Sequence, residues 1–305
     1  MPSYTRVAER FFNKPWALMP DKLMEVQEVL RTRMAGGKLS DDEIRQHVQA
    51  ATNGQDGKPM GYVAVIRVHG VLAQRMNLMM EISGGTSTEI IRSKIREAVN
   101  DPEIGAILLD VDSPGGDVYG TAELADAIYR AREVKPIAAI ANSLAASAAY
   151  WIAAAASDLY ITPGGEAGSL GVWTVHWDES QWYESEGVKP TLISAGKYKV
   201  EGNPYEALGD DARGFIQKRV DEYYAMFITA VARYRGVKVS EVRGGFGEGR
   251  VVGAREAVEV GLADKVATFD EVVASLQKQV RSNSRQAGSK SGQSLRRAKI
   301  AQAKI

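Results

Sequence analysis

Three stretches limit the fold more than any others. Tyr62–Leu72 (YVAVIRVHGVL), Ile104–Ser113 (IGAILLDVDS) and Pro136–Ala141 (PIAAIA) are short, nearly unbroken apolar runs. Between them lie Ser87–Asp101 (STEIIRSKIREAVND) and the stretch YGTAELADAIYRARE, both with apolar residues at helical spacing. A strand exposed on one face alternates apolar and polar residues, whereas these runs do not alternate. Strands buried on both faces and joined by crossover helices form a largely parallel sheet, so the expected class is α/β.

The rest of the chain is read around that middle. Residues 1–58 are expected to form an N-terminal helical extension: Leu23, Val26, Val29 and Leu30 share one stripe, and Ser40 with Glu43 reads as a capping box. The linker Thr52–Gly61 (TNGQDGKPMG) is rich in turn formers. The main domain is placed at 59–275. It holds further expected strands at DLYITP and VKPTLISAG, and a long amphipathic helix at Asp210–Gly236. After Glu271 come eight basic residues and no acid, so 276–305 is expected to be a disordered basic tail, serving either as an interaction arm or only as a solvated end.

Composition removes several chemistries. There is no cysteine, which excludes disulfide frameworks, thiolate zinc sites and cysteine nucleophiles. No ligand cluster of metal-binding spacing occurs, and neither a metal nor a cofactor is expected. Arg6, Glu9, Arg10 and Lys14 interrupt the N-terminus, so a secretory leader is not expected. No run approaches the ~18 apolar residues of a membrane span, and the chain is expected in the cytoplasm.

The stretch Asn142–Pro163 (NSLAASAAYWIAAAASDLYITP) raises the chemical question. It reads as a helix of alanine and aromatics with Ser147 near its N-terminus. The backbone amides there favour negative charge, which suits a nucleophilic hydroxyl, but serine is also an ordinary N-cap, and Ser143 could cap as well. In DVDSPGGDV, the turn Pro114-Gly115-Gly116 could expose amides as an oxyanion hole or be a plain strand-to-helix turn. A base is also required. His176 is possible, although a histidine between tryptophans is more often packed core. Lys197 and Lys199 in SAGKYKVEGNPYEAL qualify only if burial holds one of them uncharged. The residues alone do not choose.

LLDVDSPGGDV, NSLAASAAYW, Gly168–Val172 (GSLGV) and GKYKVEGNPYEAL, in this order, resemble the signal-peptide-peptidase-like serine peptidases of family S49. The likeness covers about Phe12 to Leu276. FFNKPWALMPDKL, YKVEGNPY and GAREAVEVGLADKV are similar to its phage branch of capsid assembly proteases. The resemblance implies a ClpP/crotonase-like fold and a Ser–Lys dyad. Ser147 matches the nucleophile, Lys199 the general base and Ser169 the residue that orients the lysine. Gly115, Gly116 and the amide of Ala148 match the oxyanion donors. An extended peptide would pair along Gly116–Val118, including Asp117 and Val118, and along Gly171–Trp173, including Gly171 and Val172. Many cellular members read Ser-Gly-Gly-Tyr-Trp where this chain has Ser147-Ala148-Ala149-Tyr150-Trp151, which narrows the space beside the acyl carbon.

The resemblance further implies a homo-oligomer acting on peptide or protein substrates, with the phage scaffold, portal or major capsid protein, or the protease itself, as partners. The setting would be the bacterial host cytoplasm or the procapsid. Nucleic acid is not expected beyond weak attraction to the basic tail, and no membrane is expected. Competing readings are a cellular signal-peptide peptidase, a weakly active structural capsid component on the same fold, and a crotonase-type hydratase or isomerase.

Overall fold

The computed structural model describes residues 15–24, 62–75 and 85–283. The expectations for 25–58, including the stripe from Val26 to Leu30 and the Ser40 cap, lie outside the described residues, as does the whole of the linker. Within the supposed helical extension, β1 (Trp16–Leu18) is a strand, and residues 20–24 are helical.

β2 (Val63–His69) leads to the short strands β3 (Leu72–Ala73) and β4 (Thr86–Ser87). Helix α1 (Thr88–Asn100) follows, capped by the Ser87 hydroxyl, which accepts from the Ile90 N–H. Next come β5 (Ala106–Ser113), β6 (Gly115–Asp117), α2 (Thr121–Ala131), β7 (Ile137–Ala146) and α3 (Ala148–Ala153). The chain continues through β8 (Asp158–Ile161), β9 (Glu166–Gly168), α4 (Ser180–Ser185), α5 (Asp210–Arg235), α6 (Val239–Gly245), β10 (Val251–Gly253), α7 (Ala254–Glu259) and β11 (Lys265–Val266). The last helix among the described residues, α8, covers 269–283.

The main sheet runs β10-β9-β7-β5-β2, with β8 on β7 and β11 on β8. Every pairing in it is parallel except β9–β10. Two of the apolar runs are its central strands, β5 and β7, and the third is the edge strand β2; all three are largely buried on both faces. One face carries the large core, where α1, α2, α3 and α5 pack, with Trp151 stacked on Phe227 at 4.5 Å. The other face is covered by α8 through Val272, Leu276 and Val280. Gly105 lies directly beneath Val280: a Cβ there would come within 2.4 Å of it. Because α8 runs through 283 with Leu276 and Val280 buried, the boundary expected at 275/276 falls inside a helix.

Two elements differ from the sequence reading. β7 continues to Ala146, so Asn142–Ala146 is strand and the expected helix shrinks to the six residues of α3. The strand expected within Val188–Gly196 is irregular, and most of its residues are exposed. It has β-forming composition but pairs with no strand among the described residues, and an unpaired strand has little stability of its own.

A second, four-stranded sheet, β1-β6-β3-β4, sits beside the carboxyl ends of the main strands. β1 runs antiparallel to β6, in the register Trp16↔Asp117, Ala17↔Gly116, Leu18↔Gly115.

Candidate active site

β7 is the element that positions Ser147. It pairs with β5 up to Val111↔Ala141 and resumes at Ser113↔Ala145, so β7 carries two additional residues in between. This bulge turns the strand out of the β5 ladder, and its last residues pair with β9 (Leu144↔Glu166, Ala145↔Ala167, Ala146↔Gly168). Strand gives way to helix at Ser147, whose backbone is at φ 57, ψ −119. A non-glycine residue held there costs on the order of 1–3 kcal/mol, a cost typical of functional turns. The Ser147 N–H donates to the Gly168 carbonyl at 2.8 Å, and its Oγ lies 3.5 Å from the Gly171 carbonyl.

Three of the sequence motifs meet at this turn. Gly115 is at φ +100, and a Cβ on it would come 2.9 Å from the Ser147 Cβ. Only glycine fits both the angle and the approach. Ser169, at φ 56, follows the residue that accepts the Ser147 N–H and donates its own N–H to Arg250. Of the named oxyanion donors, the Gly115 N–H is already directed at Ser113 Oγ (3.2 Å). The other two expected donors, Gly116 in β6 and Ala148 at the start of α3, are both buried.

No hydrogen bond among the described residues joins the expected bases to this cluster. Lys199 is exposed on a turn at 197–202, where its backbone N–H donates to the Gly196 carbonyl at 3.1 Å, and its side chain makes no hydrogen bond or ion pair among the described residues. Lys197 packs its Nζ over the Tyr198 ring at 4.7 Å. His176 is on irregular backbone, not a strand, and its Nε2 is buried without a partner among the described residues. It lines a cavity of about 440 Å³ with Tyr119, Tyr198, Phe215 and Arg219. None of the three hydrogen-bonds to Ser147.

The edges expected to receive substrate are also placed. Asp117 is buried, accepts from the Tyr119 N–H and pairs with Trp16. Val118 is core, Val172 packs against it, and Gly171 presents its carbonyl to Ser147.

One polar group was not anticipated. Asp110, 6% exposed, accepts from Asn142 Nδ2 at 3.0 Å and sits 3.3 Å from His69 Nε2. Asn142 begins the β7 bulge, so this pair ties the bulge to β5. Burial pushes the Asp110 carboxyl up, but the His69 imidazole 3.3 Å away, the hydrogen bond from Asn142 and the charge of Arg67 bring it below the ordinary carboxylate range. The sign follows from that lowered value. Its stabilising contribution is complete above the pKa of an unfolded aspartate and is lost as pH falls through the folded one. Asp110→Asn is therefore expected to flatten the loss of melting temperature below about pH 4. Parallel melting curves for the two proteins across that range would contradict this.

A strained serine at a strand-to-helix junction, set against a glycine turn in a mostly parallel sheet covered by helices, places the chain in the ClpP-like class of α/β folds. Residues 130–283 match the family model described as "Peptidase family S49". The chain belongs to peptidase family S49. It is 34% identical over 282 residues to "Capsid assembly protease C" of Escherichia phage lambda, covering 88% of this chain and 64% of that protein. It is 35% identical over 266 residues to "Head-tail preconnector protein GP5" of Enterobacteria phage P21, covering 87% of this chain and 49% of that one. It is 26% identical over 232 residues to "Serine protease SPPA, chloroplastic" of Arabidopsis thaliana, covering 76% of this chain and 33% of that protein. The chain thus spans about half to two thirds of the length of the two phage relatives.

Proposed function

We propose that the protein is a serine endopeptidase in which Ser147 is the nucleophile and Lys199 the general base, acting on capsid assembly proteins of a phage. The convergence of Ser147, Gly115 and Gly168–Ser169 at one strained turn carries this reading, because three motifs far apart in sequence supply the parts that acyl transfer needs. Ser147 Oγ bonds to the scissile carbonyl carbon while its proton passes to an uncharged Lys199 Nζ. The Gly116 and Ala148 amides hold the oxyanion, and Ser169 orients the ammonium. The C–N bond then breaks, the leaving amine takes the proton, and water releases the acyl group by the same route.

Lys199 must be buried to be uncharged, and in the isolated chain it is exposed. The reading therefore has Lys199 of one protomer serving Ser147 of another within a homo-oligomer. The same part of the chain supports such a contact, since Trp177, Trp182, Ile193 (96% exposed) and Phe215 present apolar surface. Among the described residues no helix is long and apolar enough to cross a membrane. The proposed setting is the host cytoplasm or the procapsid, with scaffold, portal or the protease itself as substrate.

Purified protein is expected to shorten itself near its basic C-terminal end, and Ser147→Ala is expected to stay intact. Identical mass spectra for both after long incubation would contradict the reading.

A further inference from the structure

The two backbone edges that would receive a substrate are already joined by the chain's own N-terminal strand. On one side β1 pairs with β6 over Gly115–Asp117. On the other, Trp16 and Trp173 exchange backbone hydrogen bonds of 2.8 and 3.0 Å, and the Trp173 indole N–H donates to the Leu18 carbonyl at 2.8 Å. Just beyond, the Met19 N–H donates to the Pro114 carbonyl at 3.1 Å. A peptide entering by strand addition would make contacts of this kind.

β1 also lies close to the nucleophile. A Cβ built on Gly115 would be 2.2 Å from the Ala17 carbonyl oxygen and 2.9 Å from the Ser147 Cβ, so backbone and serine flank a single point. Trp16 and Ala17 are fully buried, and Ser147 itself is 1% exposed. A nucleophile that must meet a protein substrate is covered while this segment is in place.

We infer that Trp16–Leu18 is a built-in occupant of the substrate cleft, and that a protein substrate enters as a strand of the same large–small–large pattern once it leaves. The inference rests on Ser147 being the nucleophile. The pattern follows from the packing: alternate residues of a strand face opposite ways, and only Ala17 of the three joins the large core, where it is fully buried. A large side chain at that position has no space. Displacement is also feasible, since β1 is only three residues long and lies between Pro15 and Pro20, which lack backbone N–H groups to extend its pairing. A longer substrate strand forms more backbone bonds.

The test inserts a site for a specific endoprotease after Gly54, cuts the folded protein and washes away the N-terminal fragment. Two probes are used: a fluorophosphonate, and a fluorescent peptide of residues 12–21 (FNKPWALMPD). Cutting is expected to speed labelling of Ser147 at least about tenfold, as expected when a covered state dominates the intact chain. The peptide is expected to rebind to cut wild-type protein and to cut Ser147→Ala, and a peptide carrying Ala17→Trp is not. Full-length Trp16→Ser repeats the labelling comparison without cutting, and faster labelling is expected there as well. Tight peptide binding with no labelling of any form would support the strand's place in the cleft while removing Ser147 as nucleophile. Equal labelling of cut, intact and Trp16→Ser proteins, or no peptide binding by cut protein that keeps its fold, would overturn the inference.

Discussion

Ser147→Ala is expected to lower peptide hydrolysis by more than about 1,000-fold, because what remains when a nucleophile is lost is binding and the oxyanion donors alone. The fold is expected to survive. Among the described residues the Ser147 hydroxyl makes one weak hydrogen bond, 3.5 Å to the Gly171 carbonyl, and the turn is held instead by the backbone bond to Gly168. Alanine keeps that bond and is about as strained as serine at φ 57. Hydrolysis should therefore collapse at an unchanged melting temperature. Near-normal turnover in the variant, or loss of turnover together with the fold, would each contradict the role given to the hydroxyl.

The second large effect concerns the base. Lys199→Ala is expected to lose about 100- to 10,000-fold in rate, the usual range for a positioned general base. Lys197→Ala is expected to retain activity, since its amine lies over the Tyr198 ring. The exposure of Lys199 adds a prediction about assembly. Mixing Ser147→Ala with Lys199→Ala, each inactive alone, should restore turnover in mixed oligomers, where an intact serine meets an intact lysine. Mixed oligomers that form but stay inactive would place the base in the same chain as its serine. Reversed behaviour of the two lysine variants would mean that the KYK turn has been read in the wrong register.

The parallel sheet was legible because its strands are buried on both faces, and continuous runs such as Ile107–Leu109 have few other solutions. The Gly115 turn and Ser147 were legible as residue types, but the reason they meet was not. The β7 bulge depends on pairing with β9, and that tertiary pairing overrides the helical preference of an alanine-rich segment at Asn142–Ala146. Asp110 looked like one polar residue in an apolar run, and its partners, His69 and Asn142, are on other strands. The signal for β1 was present in PWALMP: Pro20 disfavours helix in the residue before it, and Pro15 cannot donate to a helix ladder. What no sequence feature could give was that these residues would lie against Ser147, since that is set by contacts with Gly115 and Trp173. Lys199 is the reverse case. Its motif is specific, yet the surroundings that would make it a base are not supplied by a single chain.

Mapping a fluorophosphonate adduct by mass spectrometry, on the intact chain and with β1 released, tests the central claim most directly. The account predicts one adduct, on Ser147, that forms far more slowly in Lys199→Ala than in Lys197→Ala. An adduct on another serine, or Ser147 labelled equally fast in both lysine variants, would contradict it.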